Sequence, residues 1–194
     1  MADQKISAMP TAATLTGAEL LPLVQSGANV KATLDSIRNF DNSYGGWSDN
    51  TDQTGSISAG TVITMNTIDI ADGITLVDGS KMTVPSVGKY SLQFSFQFKN
   101  TNNAQEDVTV WLRINGVDLA NSATQYTIPA RKSASIFGYG VASLTFLLDL
   151  AANDYVEMLW VPSSTTVTLE HLPASLSPAY PAIPSVIATM VQIA

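Results

Sequence analysis

The stretch GKYSLQFSFQFKN, Gly88 to Asn100, constrains this chain more than any other. Tyr90, Leu92, Phe94, Phe96 and Phe98 alternate with Ser91, Gln93, Ser95, Gln97 and Lys99. Strict period two, with three phenylalanines on one side, dictates a long strand with a single apolar face. Such a face must be covered by a second layer, which places the strand in a sheet packed on something else.

The same period continues on both sides of it. VTVWLRINGVDL alternates Val108, Val110, Leu112 and Ile114 and then meets Asn115-Gly116, a pair that accepts positive φ at both turn positions and so predicts a hairpin returning from Val117. SLTFLLDL and DYVEMLWV flank the turn AAND, and STTVTLEHL reads as a further Thr-rich strand. Turns are also expected at Asp72-Gly73 and Asp78-Gly79. The C-terminal PSVIATMVQIA differs because Val186, Ile187, Met190, Val191 and Ile193 place apolar groups on both faces. A strand of that kind is covered on both sides, so Val186, Ile187, Met190 and Val191 are the candidate subunit interface. Pro173, Pro178, Pro181 and Pro184 precede it and predict an extended crossing loop without regular pairing. Nine or ten short strands with long crossings make the expected fold class all-β, a two-sheet jelly-roll sandwich.

With 194 residues, the chain has room for one domain of about 150 residues and an extension. Residues 1–40 carry mixed signals. Pro10 and Pro22 interrupt them, and KATLDSIRNF sets Leu34 and Ile37 at helical spacing behind Thr33 as an N-cap, which predicts an extended N-terminal arm with one short helix. Residues 41–60, rich in Gly, Ser, Asn and Asp, read as a linker and the lip of the next domain, with the knob occupying 61–194.

Charged residues make up only 13% of the chain, against roughly 25% in an average soluble domain. Its surface must therefore be rich in Ser, Thr, Asn, Gln or apolar groups, as suits subunit contacts or a protease-resistant particle. The net charge of −7 opposes adhesion to phosphate backbones and anionic lipid, so no nucleic-acid partner is expected. There is no cysteine, hence no disulfide and no Cys metal site. MADQKISAMP carries charges and a proline where a signal peptide needs an apolar core, and no run approaches the roughly 18 apolar residues of a membrane span. Synthesis and assembly in a cytoplasm, without membrane insertion, are the expectation.

No catalytic constellation stands out, and neither an enzyme, a cofactor nor a metal is expected. His171, the one histidine, shares a face with Val167 and Leu169 and reads as a core or interface residue, with no G-x-S-x-G elbow to serve. Glu106-Asp107 reads as a solvated pair rather than a calcium site, and Asp149, Asp154 and Glu157 as surface acids rather than a glycosidase pair. GYGVAS precedes a strand, not a helix, and cannot cradle phosphate. Trp111 points away from the Val108, Val110, Leu112 face beside Arg113, where it is either a stacking platform for a glycan ligand or an aromatic at a subunit interface.

Two resemblances follow from these residues. GKYSLQFSFQFKN, DVTVWLRINGVDL and LDLAANDYVEMLW together resemble the jelly roll shared by tumour necrosis factor and the globular heads of the first complement component. That pattern has a G-x-Y strand, a strand ending in Asn-Gly and a pair joined by L-x-x-G-D-x-V. Asn153 stands where that family has Gly, and Asn also accepts left-handed geometry. The likeness covers roughly residues 47–194 and implies a homotrimer.

The second is narrower. KISAMPTAATLTGAELLPLVQSGANVKATLDSI is similar to the short N-terminal segment of tailed-bacteriophage virion proteins, fibres especially, in which K-I-S-x-L-P precedes G-x-E-L-L-P-x-V-Q and K-x-T-x-x-x-I. Met9 replaces the usual Leu. The resemblance implies a trimeric knob on a phage particle, assembled in the host cytoplasm and held to other virion proteins of capsid or tail by its arm. Within the arm, Leu20, Leu21, Leu23 and Val24 are the expected attachment residues. A short fibre or head decoration fits the absence of a repetitive shaft. The alternative is a tail-fibre adhesin that recognises a host surface glycan or protein.

Overall fold

The computed structural model describes residue 16, residues 18–34 and residues 43–194. Contacts divide the chain into two units, Met1–Asp41 and Asn42–Ala194. In the first, β1 (Leu20–Gln25) and β2 (Ala28–Thr33) form an antiparallel hairpin. Ser26 and Gly27, at φ of 50° and 78°, make its two-residue turn, whose left-handed geometry matches the twist of the strands it joins. Thr33, expected to cap a helix, is instead paired with Leu20 at the end of β2. The hairpin ladder claims its backbone, and the Leu34 N–H donates to the Glu19 carbonyl at 2.9 Å just beyond it. Ile37 and the rest of the expected short helix lie outside the described residues.

The second unit is built from strands throughout. It begins with β3 (Tyr44–Asp49), β4 (Gln53–Thr54), β5 (Thr61–Val62), β6 (Thr67–Asp72), β7 (Thr75–Val77) and β8 (Lys81–Thr83). The alternating stretch is β9 (Gly88–Asn100), and β10 (Glu106–Ile114), β11 (Val117–Asp118) and β12 (Thr124–Ile128) follow. β13 (Gly138–Leu150), β14 (Tyr155–Pro162), β15 (Val167–Leu169), β16 (Ser175–Leu176), β17 (Ala179–Tyr180) and β18 (Val186–Gln192) complete it.

Two seven-stranded sheets result. In the first, β10 lies between β14 and the pair β11 and β12, and β14 then meets β5 and β8, with β7 beyond β8. In the second, β9 pairs along its whole length with β13 on one side and with β18 and β15 on the other. β3 joins β18 to the edge strand β6. All these pairings are antiparallel. The predicted turns carry them: Asn115 and Gly116 sit at φ of 51° and 81°, Asp78 and Gly79 at 53° and 70°, and Asn153 at 68°.

The apolar face of β9 lies against the first sheet. Phe98 meets Trp160 of β14 with ring centroids 5.5 Å apart, and Phe94 stacks on Phe96 at 4.3 Å. Both phenylalanines are buried with Leu112, Met158, Val186 and Met190 in one core. Burial of each such side chain contributes about 1.5–3 kcal/mol, which makes this layer the main source of the fold's stability.

Three stretches differ from the reading of the sequence. The first is 41–60, expected as linker and lip, which contains β3, a strand flanked by β18 and β6 with Trp47 fully buried. Gly45 is a core position: a Cβ on it would stand 2.1 Å from the Trp47 ring, which occupies that space itself. The Pro-rich crossing forms the small β16–β17 hairpin, closed at its base by reciprocal backbone hydrogen bonds between Leu172 and Ile183 at 2.9 and 2.8 Å. Proline removes donors only where it stands, and the non-proline residues between still pair. β18 is not covered on both sides within the chain, since its residues alternate buried and exposed along its length.

Candidate functional site

The apolar clause of the arm is exposed. Leu20, Leu21, Leu23 and Val24 retain 54%, 39%, 41% and 73% of their accessible surface. Opposite residues of a ladder share a face, so Leu21 and Leu23 lie beside Ala32 and Val30, while Leu20, Pro22 and Val24 lie beside Thr33, Lys31 and Asn29. A lone two-stranded hairpin is marginally stable in water at best. Its leucines keep about two fifths or more of their surface among the described residues.

The four residues expected at a subunit interface separate into two pairs. Val186 and Met190 are fully buried in the sandwich core, a correction to the expectation that they meet another chain. Ile187 and Val191 point the other way and are 43% and 42% exposed. Strand alternation alone produces this division. Around Ile187 and Thr189, the outward Gln93, Ser95 and Ser143 line an open groove of about 240 Å³. Leu147 and Val141 of β13 and Ile70 of β6 are exposed as well. Ile187 lies across from Ser95 and Ser48, and Ser95 across from Ser143. The outer face of the second sheet is thus a mixture of aliphatic and hydroxyl groups with few charges.

Trp111 is half-buried rather than displayed. A Cβ on Gly60 would lie 2.4 Å from its ring, so the Gly60 loop and Leu159 cover the far edge of the indole. Beside it Asp118 accepts from Arg113 Nε at 2.9 Å. The Trp111 indole N–H, and after it the Arg113 guanidinium, hold the Asp118 carboxyl below its usual range. The indole N–H itself falls short of full hydrogen-bond geometry.

The other candidates are scattered, and each carboxylate has a protein partner. Glu106 accepts from Asn102 at 2.6 Å and from the Ser163 hydroxyl, and Asp107 from Thr127 at 2.7 Å. Asp149 pairs with Lys89 at 3.1 Å, and Asp154 accepts from Asn115 at 2.7 Å. Glu157, expected as a surface acid, faces outward but is buried and accepts from Ser80 at 3.2 Å. His171 lies past the end of β15, with its backbone N–H donating to Asp52 at 2.8 Å. Among the described residues no three His, Asp or Glu side chains gather as metal ligands. No helix among them is long and apolar enough to cross a membrane.

Two polar features were not foreseen. Asp49, almost fully buried at the end of β3, accepts from the Thr51 N–H at 2.8 Å, the Thr51 hydroxyl and Asn66 Nδ2 at 3.1 Å, while its carbonyl accepts from the Ser185 N–H at 2.9 Å. It fastens the following loops to the sandwich. The sequence signal was present as an Asp followed by Asn50 and Thr51, the composition of an Asx turn. On the outer face of the second sheet, Lys99 Nζ lies 2.6 Å from Glu170 and 4.5 Å from the Phe137 ring centroid. The hydrogen bond to Glu170 raises the Lys99 pKa above its ordinary value.

Compared with known protein families the chain matches none, and among curated proteins it likewise finds no match.

Proposed function

We propose that the chain is a structural protein of a tailed-bacteriophage virion, a short trimeric fibre or head-decoration knob held to the particle by its N-terminal arm. The observation that carries this reading is the exposed aliphatic hairpin of the arm, joined to a second unit with a core of its own. An element that cannot bury its own leucines is suited to a socket supplied by other chains. The resemblance of residues 5–37 to phage virion segments supports the same assignment.

The second unit reads as a jelly roll of the tumour necrosis factor type. Its order β3-β18-β9-β13 opposite β8-β14-β10-β12 supports this, because the first and last strands lie side by side and each sheet joins strands that are far apart in the sequence. The exposed Ile187 and Val191 on the outer face of the second sheet supply the surface for trimer contacts.

A second reading, an adhesin binding a host surface glycan or protein, is favoured by one feature. The stretch from Leu172 to Val186 contains no charged residue, and its hairpin displays Leu176 at 94% exposure beside Tyr180. Gold labelling of the protein on intact particles tests the main reading: clustered label at capsid or tail supports it, and unlabelled particles overturn it. Direct binding of the purified protein to host cells, lost on replacing Leu176 and Tyr180 with Ser, is the result the second reading expects.

A further inference from the structure

Asn115-Gly116 is the one Asn-Gly pair in the chain, and it forms the exposed turn between β10 and β11 with both residues left-handed, at φ of 51° and 81°. Such a pair carries a covalent chemistry of its own. The backbone nitrogen of the second residue attacks the side-chain carbonyl carbon of the first, and glycine puts no Cβ in the way. A carbon–nitrogen bond forms, ammonia leaves, and a five-membered succinimide closes on the main chain. Water then opens the ring at one of its two carbonyls, giving aspartate or, with the chain rerouted through the side chain, isoaspartate.

The ring closes only when the Asn115 side chain turns freely toward the Gly116 nitrogen. In the folded chain it is held. Its Nδ2 donates to Asp154 Oδ1 at 2.7 Å, and its Oδ1 accepts from the Tyr155 N–H at 3.0 Å. A carboxylate only accepts and a backbone N–H only donates, so this pairing fixes the amide in one orientation. The Asn115 N–H donates in addition to the Tyr155 carbonyl at 3.1 Å. Asp154 is itself fixed, with Oδ2 accepting from the Ala151 N–H at 2.8 Å. Both polar atoms of the amide are thus committed to the start of β14, which lies across β10 from the strand β11 into which Gly116 leads.

We propose that Asn115 is a covalent modification site kept shut by Asp154 and the Tyr155 N–H, and that opening this latch converts the turn to aspartate or isoaspartate. The conversion runs one way. It replaces the donor Nδ2 with a carboxylate oxygen facing the Asp154 carboxylate, where two like charges repel. The product does not close again, and the β10–β11 hairpin is uncoupled from the turn between β13 and β14.

Trypsin cuts after Arg113 and Arg131 and releases residues 114–131, in which Asn121-Ser122 serves as an internal reference. The folded full chain and a free synthetic peptide of residues 114–131 are aged in warm, mildly alkaline buffer, and the aspartate and isoaspartate forms are separated by chromatography and mass spectrometry. The peptide should convert at position 115 at least about tenfold faster than the folded chain, the factor that one hydrogen bond to a charged group carries. Asp154→Ala, folded by dichroism, should gain a similar factor over the folded wild type, while Asp154→Asn, which still accepts from Nδ2, should stay near it. Asp154→Ser, with a shorter side chain, takes the place of Asp154→Ala if that variant does not fold. A folded wild type that converts as fast as the peptide overturns the inference. So does a folded Asp154→Ala or Asp154→Ser that converts as slowly as wild type.

Discussion

Met190 and Val191 are neighbours on β18, yet Met190 has no accessible surface while Val191 keeps two fifths of its own. A charge at the first site would have to enter the sandwich core, where desolvation costs several kcal/mol. A charge at the second enters only the exposed outer face of the sheet, where the proposed trimer contact lies. Met190→Asp should therefore unfold the domain, whereas Ile187→Asp combined with Val191→Asp should lower the mass to the 20.5 kDa monomer with β circular dichroism retained. Light scattering and dichroism on the two variants check this. A folded Met190→Asp protein would place β18 the other way round.

Phe96 lies fully buried between Phe94 and Phe98, stacked on the first and edge-on to the second at 6.3 Å. Truncation to Ala removes the transfer energy of the ring and leaves a cavity in a close-packed layer. The expected loss is about 3–5 kcal/mol in urea unfolding, and a loss under about 1 kcal/mol would contradict the packing.

How much of this was legible can be judged strand by strand. β9 was plain because its large apolar residues alternate without a break, and β10 because Asn115-Gly116 fixes where it turns. β3 was hidden because Gly45 and Gly46 have no side chains to show a pattern, although the ring of Trp47 fills the space above Gly45. For β18, period two separates Val186 and Met190 from Ile187 and Val191, but composition alone does not say which pair the core takes. Trp111 could not be read because its cover, Gly60, lies 51 positions away. Residue spacing records faces, not the loops that close over them.

Asp49 tests the loops directly. Asp49→Ala leaves the Thr51 N–H and hydroxyl and Asn66 Nδ2 without their acceptor, at about 1–3 kcal/mol for each donor that water does not reach. Asp49→Asn keeps one acceptor oxygen and should cost less. Denaturation midpoints of the two variants, ranked in that order, check the clamp.

Lys99 sets a limit at high pH. Its pKa is raised in the folded chain, first by the hydrogen bond to Glu170, from an ordinary 10.5. A raised pKa means that the folded state holds the proton more tightly, so the contribution is complete below pH 10.5 and is lost as pH rises through the folded value. Tyr126 and Tyr139, both raised by burial, act in the same direction. Stability should fall above about pH 10, and Lys99→Met should flatten part of that fall. Urea midpoints between about pH 9 and 11.5 measure it.

The central claim is that the arm, and not the knob, holds the protein on the particle. The most direct measurement is co-sedimentation of purified protein with particles that lack it, comparing the full chain, a chain without residues 1–40, and full-length Leu21→Ser with Leu23→Ser. Full chain should pellet with the particles. The truncated chain should stay in the supernatant as a folded trimer, because every strand of the two large sheets lies downstream of residue 43. The double variant should stay there too, with its thermal unfolding unchanged. Pelleting of the truncated chain at the level of the full one would contradict the account and move the anchor into the knob.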